Sequence, residues 1–271
     1  MASNPLPPIP TGFQMPFYYA ALTNCGVYYL VDPARLASYL KNTRLEPALF
    51  DKRGCVSFNY QLYVSHFSTG ASITQEIELS IVAYPQADAA HVPPITLAQY
   101  LRGEEQTKNM GHHRVHVPCD NDLAIQAGET LFGEPKFKTN FAINMPSLNS
   151  PEVKTWQISC RDPQKPNSPK GDIFSCEIDL QGLNSEAGNF SPTTEYGTYQ
   201  GQPIAARWNI LLPYATYLLA GNQRRRVQLS YGQSTHPMRK DMQNLIGDAP
   251  AAAVQIFQSP PIAIQSRAFY V

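Results

Sequence analysis

The sequence predicts an α+β protein dominated by antiparallel strands with a few peripheral helices, and three observations carry that expectation. Eight short segments alternate or run apolar in the manner of strands. Only two segments carry a helical apolar spacing behind a start signal. Gly 16 and Pro 24 supply turns while Tyr 15 and Phe 12 favour pleated, half-buried surfaces.

Met1 to Pro16 reads as a Pro-rich N-terminal arm, extended because each proline fixes its own φ and restrains the residue before it. Residues 17–271 form one domain, since no repeat or long linker divides them. Asp32-Pro33 opens the first helix, with Asp as N-cap, Pro at the first helical position and Leu36, Tyr39 and Leu40 on one face up to Asn42. A second helix spans Pro237 to Ile246, with Met238, Met242 and Leu245 inward. The strands expected are Val27–Val31, Val56–Phe67, Ile73–Tyr84, Val153–Cys160, Ile173–Leu180, Ala205–Leu212, Arg225–Tyr231 and Ile262–Val271. Asp162 to Gly171 is a polar hairpin tip between two of them. Along Ile73–Tyr84, Ile73, Ile77, Leu79 and Ile81 share one face, and Thr74, Glu76, Glu78 and Ser80 the other.

Lys+Arg 21 against Asp+Glu 21 leaves no net field to attract nucleic acid or an anionic membrane, so a small organic partner is expected instead. Five scattered cysteines without a C-x-x-C pair suggest neither a disulfide framework nor a thiolate metal site. Without a signal-like N-terminus or a membrane-length apolar run, the expected location is the cytoplasm. His112, His113 and His116 raise a metal reading; an alternating strand puts His112 and His116 on one side, but two ligands are no site, and no metal or cofactor is expected. Gly128 and Gly133 have phosphate-loop spacing, yet Glu134 stands where lysine is required and would repel phosphate.

The chemistry concentrates in Asp120 to Lys138, DNDLAIQAGETLFGEPKFK. Pro135 sets a defined bend, so the Lys136 amine is aimed rather than mobile, with Phe132 and Phe137 as apolar cover. An ordinary lysine is protonated at neutral pH, so a nucleophilic one must be desolvated or placed beside another cation. A lone Pro-Lys is most often a solvated surface step; the segment around it changes that.

Asp120, Asn121, Ala124, Ile125, Gly128, Leu131, Pro135 and Lys136 together resemble the acetoacetate decarboxylase superfamily, and the order of elements is similar over most of the chain. That resemblance implies a barrel or cone of antiparallel strands around a pocket, where the strand pattern alone also permits a sandwich. It implies homo-oligomerisation, a Schiff-base role for Lys136 and an active-site role for Glu76. Three family positions differ here. Phe137 replaces a second lysine, Leu22 an arginine and Asn59 a glutamate. Lys138 is a candidate substitute cation, while Glu134 on the same face opposes amine activation. Asn59, His116, Glu134 and Phe137 are therefore the candidate substrate-binding residues around a carbonyl substrate. The implied activity is a lysine-iminium lyase, with decarboxylation of a β-oxo acid first. Aldolase or dehydratase chemistry on a larger oxo compound, or noncatalytic binding of a small molecule, are the alternatives.

Overall fold

The computed structural model describes residues 6–150, 152–153, 155–165, 168, 171–188, 191–268 and 270. Long strand β1 (Tyr18–Val31) leads through a capped turn, where the Asp32 carboxylate accepts from the Ala34 N–H at 2.9 Å, into the one-turn helix α1 (Ala37–Leu40). Short strands β2 (Leu45–Pro47) and β3 (Leu49–Phe50) precede the hairpin of β4 (Arg53–Phe67) and β5 (Gly70–Pro85). After α2 (Leu97–Leu101), strand β6 (Gly111–Cys119) extends the sheet, and helix α3 (Asp122–Ala127) returns the chain to β7 (Lys136–Lys138). Strands β8 (Phe141–Asn144), β9 (Thr155–Cys160) and β10 (Phe174–Asp179) start a second sheet. The first sheet then gains β11 (Glu186–Gly188), β12 (Thr193–Tyr199), β13 (Gln202–Trp208) and β14 (Tyr214–Leu218). The chain continues through β15 (Val227–Tyr231), α4 (Pro237–Leu245) and β16 (Ala251–Gln258).

Among the described residues, twelve strands form one mixed, mainly antiparallel sheet whose main path runs β11-β14-β16-β1-β4-β5-β6-β12-β13, and β15-β10-β9-β8 form the second sheet. The second sheet and α4 cover one face of the first. Val27, Tyr29, Phe58, Leu79, Ile158, Phe174 and Met242 meet there in the main core. Side-chain alternation then puts Asn59, Gln61, Glu76, Glu78 and Arg114 on the opposite, concave face. Both faces of β5 are buried, which is why its polar residues enter a site rather than solvent.

The expected barrel is not closed, because β11 and β13 end the hydrogen-bonded order. Side chains close the concave face instead. Trp208, at the end of β13, lies 4.9 Å from Tyr19 of β1 between ring centroids, so rings rather than a backbone ladder bridge these two strands. Tyr214 stacks on Phe257 at 4.5 Å across the paired strands β14 and β16.

Two further expectations change. The final strand is Ala251–Gln258, not Ile262–Val271; residues 262–268 carry no strand, with Ile262 and Ile264 exposed, and 269 and 271 lie outside the described residues. Alanines are weak strand formers, but Ala251 and Ala253 sit opposite Tyr29 and Tyr28, where small residues complement large ones. The first helix is shorter than its pattern, a 3₁₀ turn at Pro33–Arg35 followed by one α turn. No described helix is long and apolar enough to cross a membrane. All five cysteines are buried and free.

Candidate active site

Lys136 owes its position to the turn before it. Asn121 caps α3, its side chain accepting from the N–H groups of Leu123 and Ala124 at 3.0 and 3.2 Å. The helix then widens into a π-helical segment at Gly128–Phe132, a distortion often found at functional sites. Gly133 stops it with φ +63°, against the backbone of Thr198, where a Cβ has no room. The Glu134 N–H bonds back to the Gly128 carbonyl at 3.0 Å, and the Pro135 carbonyl accepts from the Val117 N–H at 3.1 Å. Lys136 thus starts a short strand parallel to β6, with its side chain only 4% exposed.

A connected set of charges surrounds it. Gln61 donates to Glu76 Oε1 at 2.7 Å, and Glu76 Oε2 is in close contact with Lys136 Nζ. Glu134 bridges the two cations, with Oε2 3.3 Å from Lys136 Nζ and Oε1 3.7 Å from Arg114 Nε. Arg114 Nη2 meets Glu78 at 2.9 Å and Glu195 at 3.1 Å, and Nη1 donates to Ser80 Oγ at 3.0 Å. Four buried carboxylates therefore face two buried cations. Burial alone pushes the Lys136 ammonium down, but Glu76 and Glu134 more than reverse this and hold it protonated beyond the ordinary lysine range. Burial pushes Glu78 up to about 8 against the pull of Arg114. Burial and Glu134 push Glu195 up to about 7, again opposed by Arg114.

These shifts have a stability consequence. A carboxyl whose folded pKa exceeds its ordinary 4.5 holds its proton more tightly in the folded chain, so its contribution is complete below pH 4.5 and fades as pH rises through 7 to 8. Denaturant unfolding at pH 5.5 and 8 should show stability falling across that window, with a shallower fall in the Glu78→Gln/Glu195→Gln double variant. An unchanged pH slope in that variant would refute the assignment.

The carboxylates Glu78, Glu134 and Glu195 lie close enough together to hold a cation. The Arg114 guanidinium already sits among them, so the donor set does not call for a metal.

The sequence candidates divide. Lys136, Glu76 and Glu134 line one cavity with Glu78, Glu195 and Trp208. Asn59 lines an adjoining cavity that shares Glu78, Glu195 and Trp208 with it. His116 and Phe137 do not reach either. His116 pairs with Asp241 of α4 at 2.7 Å, and Phe137 packs on His236 at 4.4 Å, on the opposite side of the sheet. For Phe137 the cause is simple alternation beside Lys136. For His116 it is a bulge: Arg114 pairs with Ser80 but His116 with Leu79, so Val115 is an extra residue and His116 turns away from the face that His112 and Arg114 share. Lys138 is half-exposed and paired with Asp122 at 2.9 Å, so it does not replace the missing second lysine.

Arg114, Glu78 and Glu195 escaped the sequence reading as site residues. Glu78 was signalled by sharing a face with Glu76. Arg114 and Glu195 meet through the parallel pairing of β6 with β12, far apart in sequence and without a motif.

No protein-family model matches this chain, and no curated protein sequence does either. Solved structures do match in shape. MppR, an enduracididine biosynthesis enzyme complexed with the condensation product of pyruvate and imidazole 4-carboxaldehyde, aligns at TM-score 0.58 and 10% identity, over 90% of this chain and 85% of that one. Acetoacetate decarboxylase from Legionella pneumophila aligns at TM-score 0.56 and 11% identity, over 95% and 89%. An acetoacetate decarboxylase-like enzyme from Sphingomonas wittichii aligns at 0.53 and 14%, over 89% and 88%. The chain has the acetoacetate decarboxylase-like fold. In this chain Arg114 lines the adjoining cavity, enclosed by Glu78, Glu134 and Glu195, all three of which also wall the Lys136 cavity.

Proposed function

We propose that the protein is an enzyme that forms an iminium between Lys136 and a carbonyl substrate and uses it for lyase chemistry of the aldol or dehydration type. The observation that carries this reading is a buried lysine at a cavity wall, held between two carboxylates and beside aromatic side chains such as Tyr19 and Trp208. Glu76 takes a proton from the ammonium, the free amine attacks the carbonyl carbon, and the carbinolamine loses its oxygen as water. Charge is conserved: ammonium plus carbonyl gives iminium plus water. The carboxylates that restrain the resting amine therefore also stabilise the cation it becomes. Electrons from a bond to the adjacent carbon then flow into the iminium, with Glu76 or Glu134 moving the proton.

Decarboxylation of a β-oxo acid fits less well. It brings another carboxylate into a cavity already lined by four acids, and the Arg114 Nη groups behind them already donate to Glu78, Glu195 and Ser80. The test uses 2-pentanone, a neutral ketone, and acetoacetate, an anionic one, each followed by borohydride and mass spectrometry. 2-Pentanone should leave a reduced adduct on the Lys136 peptide, absent from Lys136→Ala, and should react faster than acetoacetate. Carbon dioxide release from acetoacetate would move the assignment to decarboxylation. No adduct from either compound would favour a noncatalytic binding protein, for which the firmly protonated lysine is the motivating observation.

A further inference from the structure

The cavity beyond Arg114 is the larger of the two and carries no part of the lysine chemistry. It adjoins the Lys136 cavity, and Glu78, Glu195 and Trp208 line both. Its sides differ in kind. Trp208, Tyr214 and Phe257 give an aromatic side, and Asn24, Asn59 and Gln61 an amide side.

We infer that this outer chamber binds the distal end of the substrate and that this end is an organic cation, an ammonium, amidinium or guanidinium group. The two cavities hold Glu76, Glu78, Glu134 and Glu195 against only Lys136 and Arg114, and those two are already spoken for by ion pairs. Among the described residues no further charged side chain lines the outer chamber, and His112 on its wall is kept neutral by burial and by Arg114, which lower its pKa to about 3. A bound cation takes the place of the protons that Glu78 and Glu195 hold. Aromatic faces attract it through their ring quadrupoles, and amide oxygens accept its N–H groups. An anion would find only the Arg114 Nε, which has no hydrogen-bond partner but faces Glu134 Oε1 at 3.7 Å, since the Nη groups already donate to Glu78, Glu195 and Ser80.

The proton balance agrees. Glu78 and Glu195 face Arg114 from β5 and β12, with Glu76 alongside and Glu134 entering from the turn before β7. Raised as they are, both acids retain protons near neutrality, and a cation placed against them drives those protons off.

The inference rests on the Lys136 reading for where the carbonyl sits, but it is tested apart from it. Benzamidine, benzamide and benzoate share one ring and differ in charge. Calorimetry at pH 7 on the wild type and on Lys136→Ala should give benzamidine at least ten-fold tighter than benzamide, with benzoate weakest. Repeating it in phosphate and Tris, which differ in ionisation heat, should show proton release with benzamidine and none with benzamide, a readout that needs no variant. Glu195→Gln should remove most of the cation preference. Equal affinity for benzamidine and benzamide, tighter binding of benzoate, or binding of none of the three overturns the inference. Failure of borohydride trapping with the benzamidine preference intact would remove only the lysine chemistry.

Discussion

Gly128→Ala will lower the rate of borohydride-trappable adduct formation at Lys136 by about a hundredfold or more while leaving the fold in place. Gly128 has φ −61° and ψ −45°, ordinary helical values, so alanine costs nothing in backbone strain and gains up to about 1 kcal/mol of local helix preference. What alanine meets is the site. A Cβ there would fall on Lys136 Cε and come within 2.5 Å of Glu134 Oε2. Both obstacles are ends of flexible side chains, so the chain yields by swinging Lys136 and Glu134 aside rather than by unfolding. The expected pairing is near-normal denaturant unfolding with almost no mass-shifted Lys136 peptide. Wild-type trapping in this variant would show that the amine does not react from the position described.

Arg114→Met will destabilise the protein by about 3–5 kcal/mol at pH 8, a large part of an ordinary domain's total stability. Methionine fills much of the same space, so packing is a minor part of the loss. The cost comes from Glu78, Glu134 and Glu195, left facing one another without the guanidinium. The loss is smaller at pH 5.5, where Glu78 and Glu195 keep their protons and fewer negative charges need a partner. Urea titrations at the two pH values measure the difference. A penalty independent of pH would mean that Arg114 acts through packing rather than through its charge.

Local sequence chemistry was sufficient for some elements. The Asp32-Pro33 and Pro237 starts lie where N-caps and prolines put them, and the β4–β5 hairpin follows its apolar runs. The segment from Asp120 to Lys136 was legible because Asn121, Gly128, Gly133 and Pro135 each answer a local backbone demand. Strand β16 was missed because its alanines have meaning only against Tyr28 and Tyr29 across the sheet.

By itself, the sequence determined that Lys136 would be aimed and that Glu76 and Glu78 would share a face, since turn chemistry and strand alternation act within a few residues. Only the tertiary structure decided what surrounds that lysine. A single bulge at Val115 turned His116 away while leaving Arg114 inward, and parallel pairing brought Glu195 from β12 to meet it. The balance of buried charge that holds Lys136 protonated is a sum over elements distant in sequence, and it exists only once the sheet has assembled.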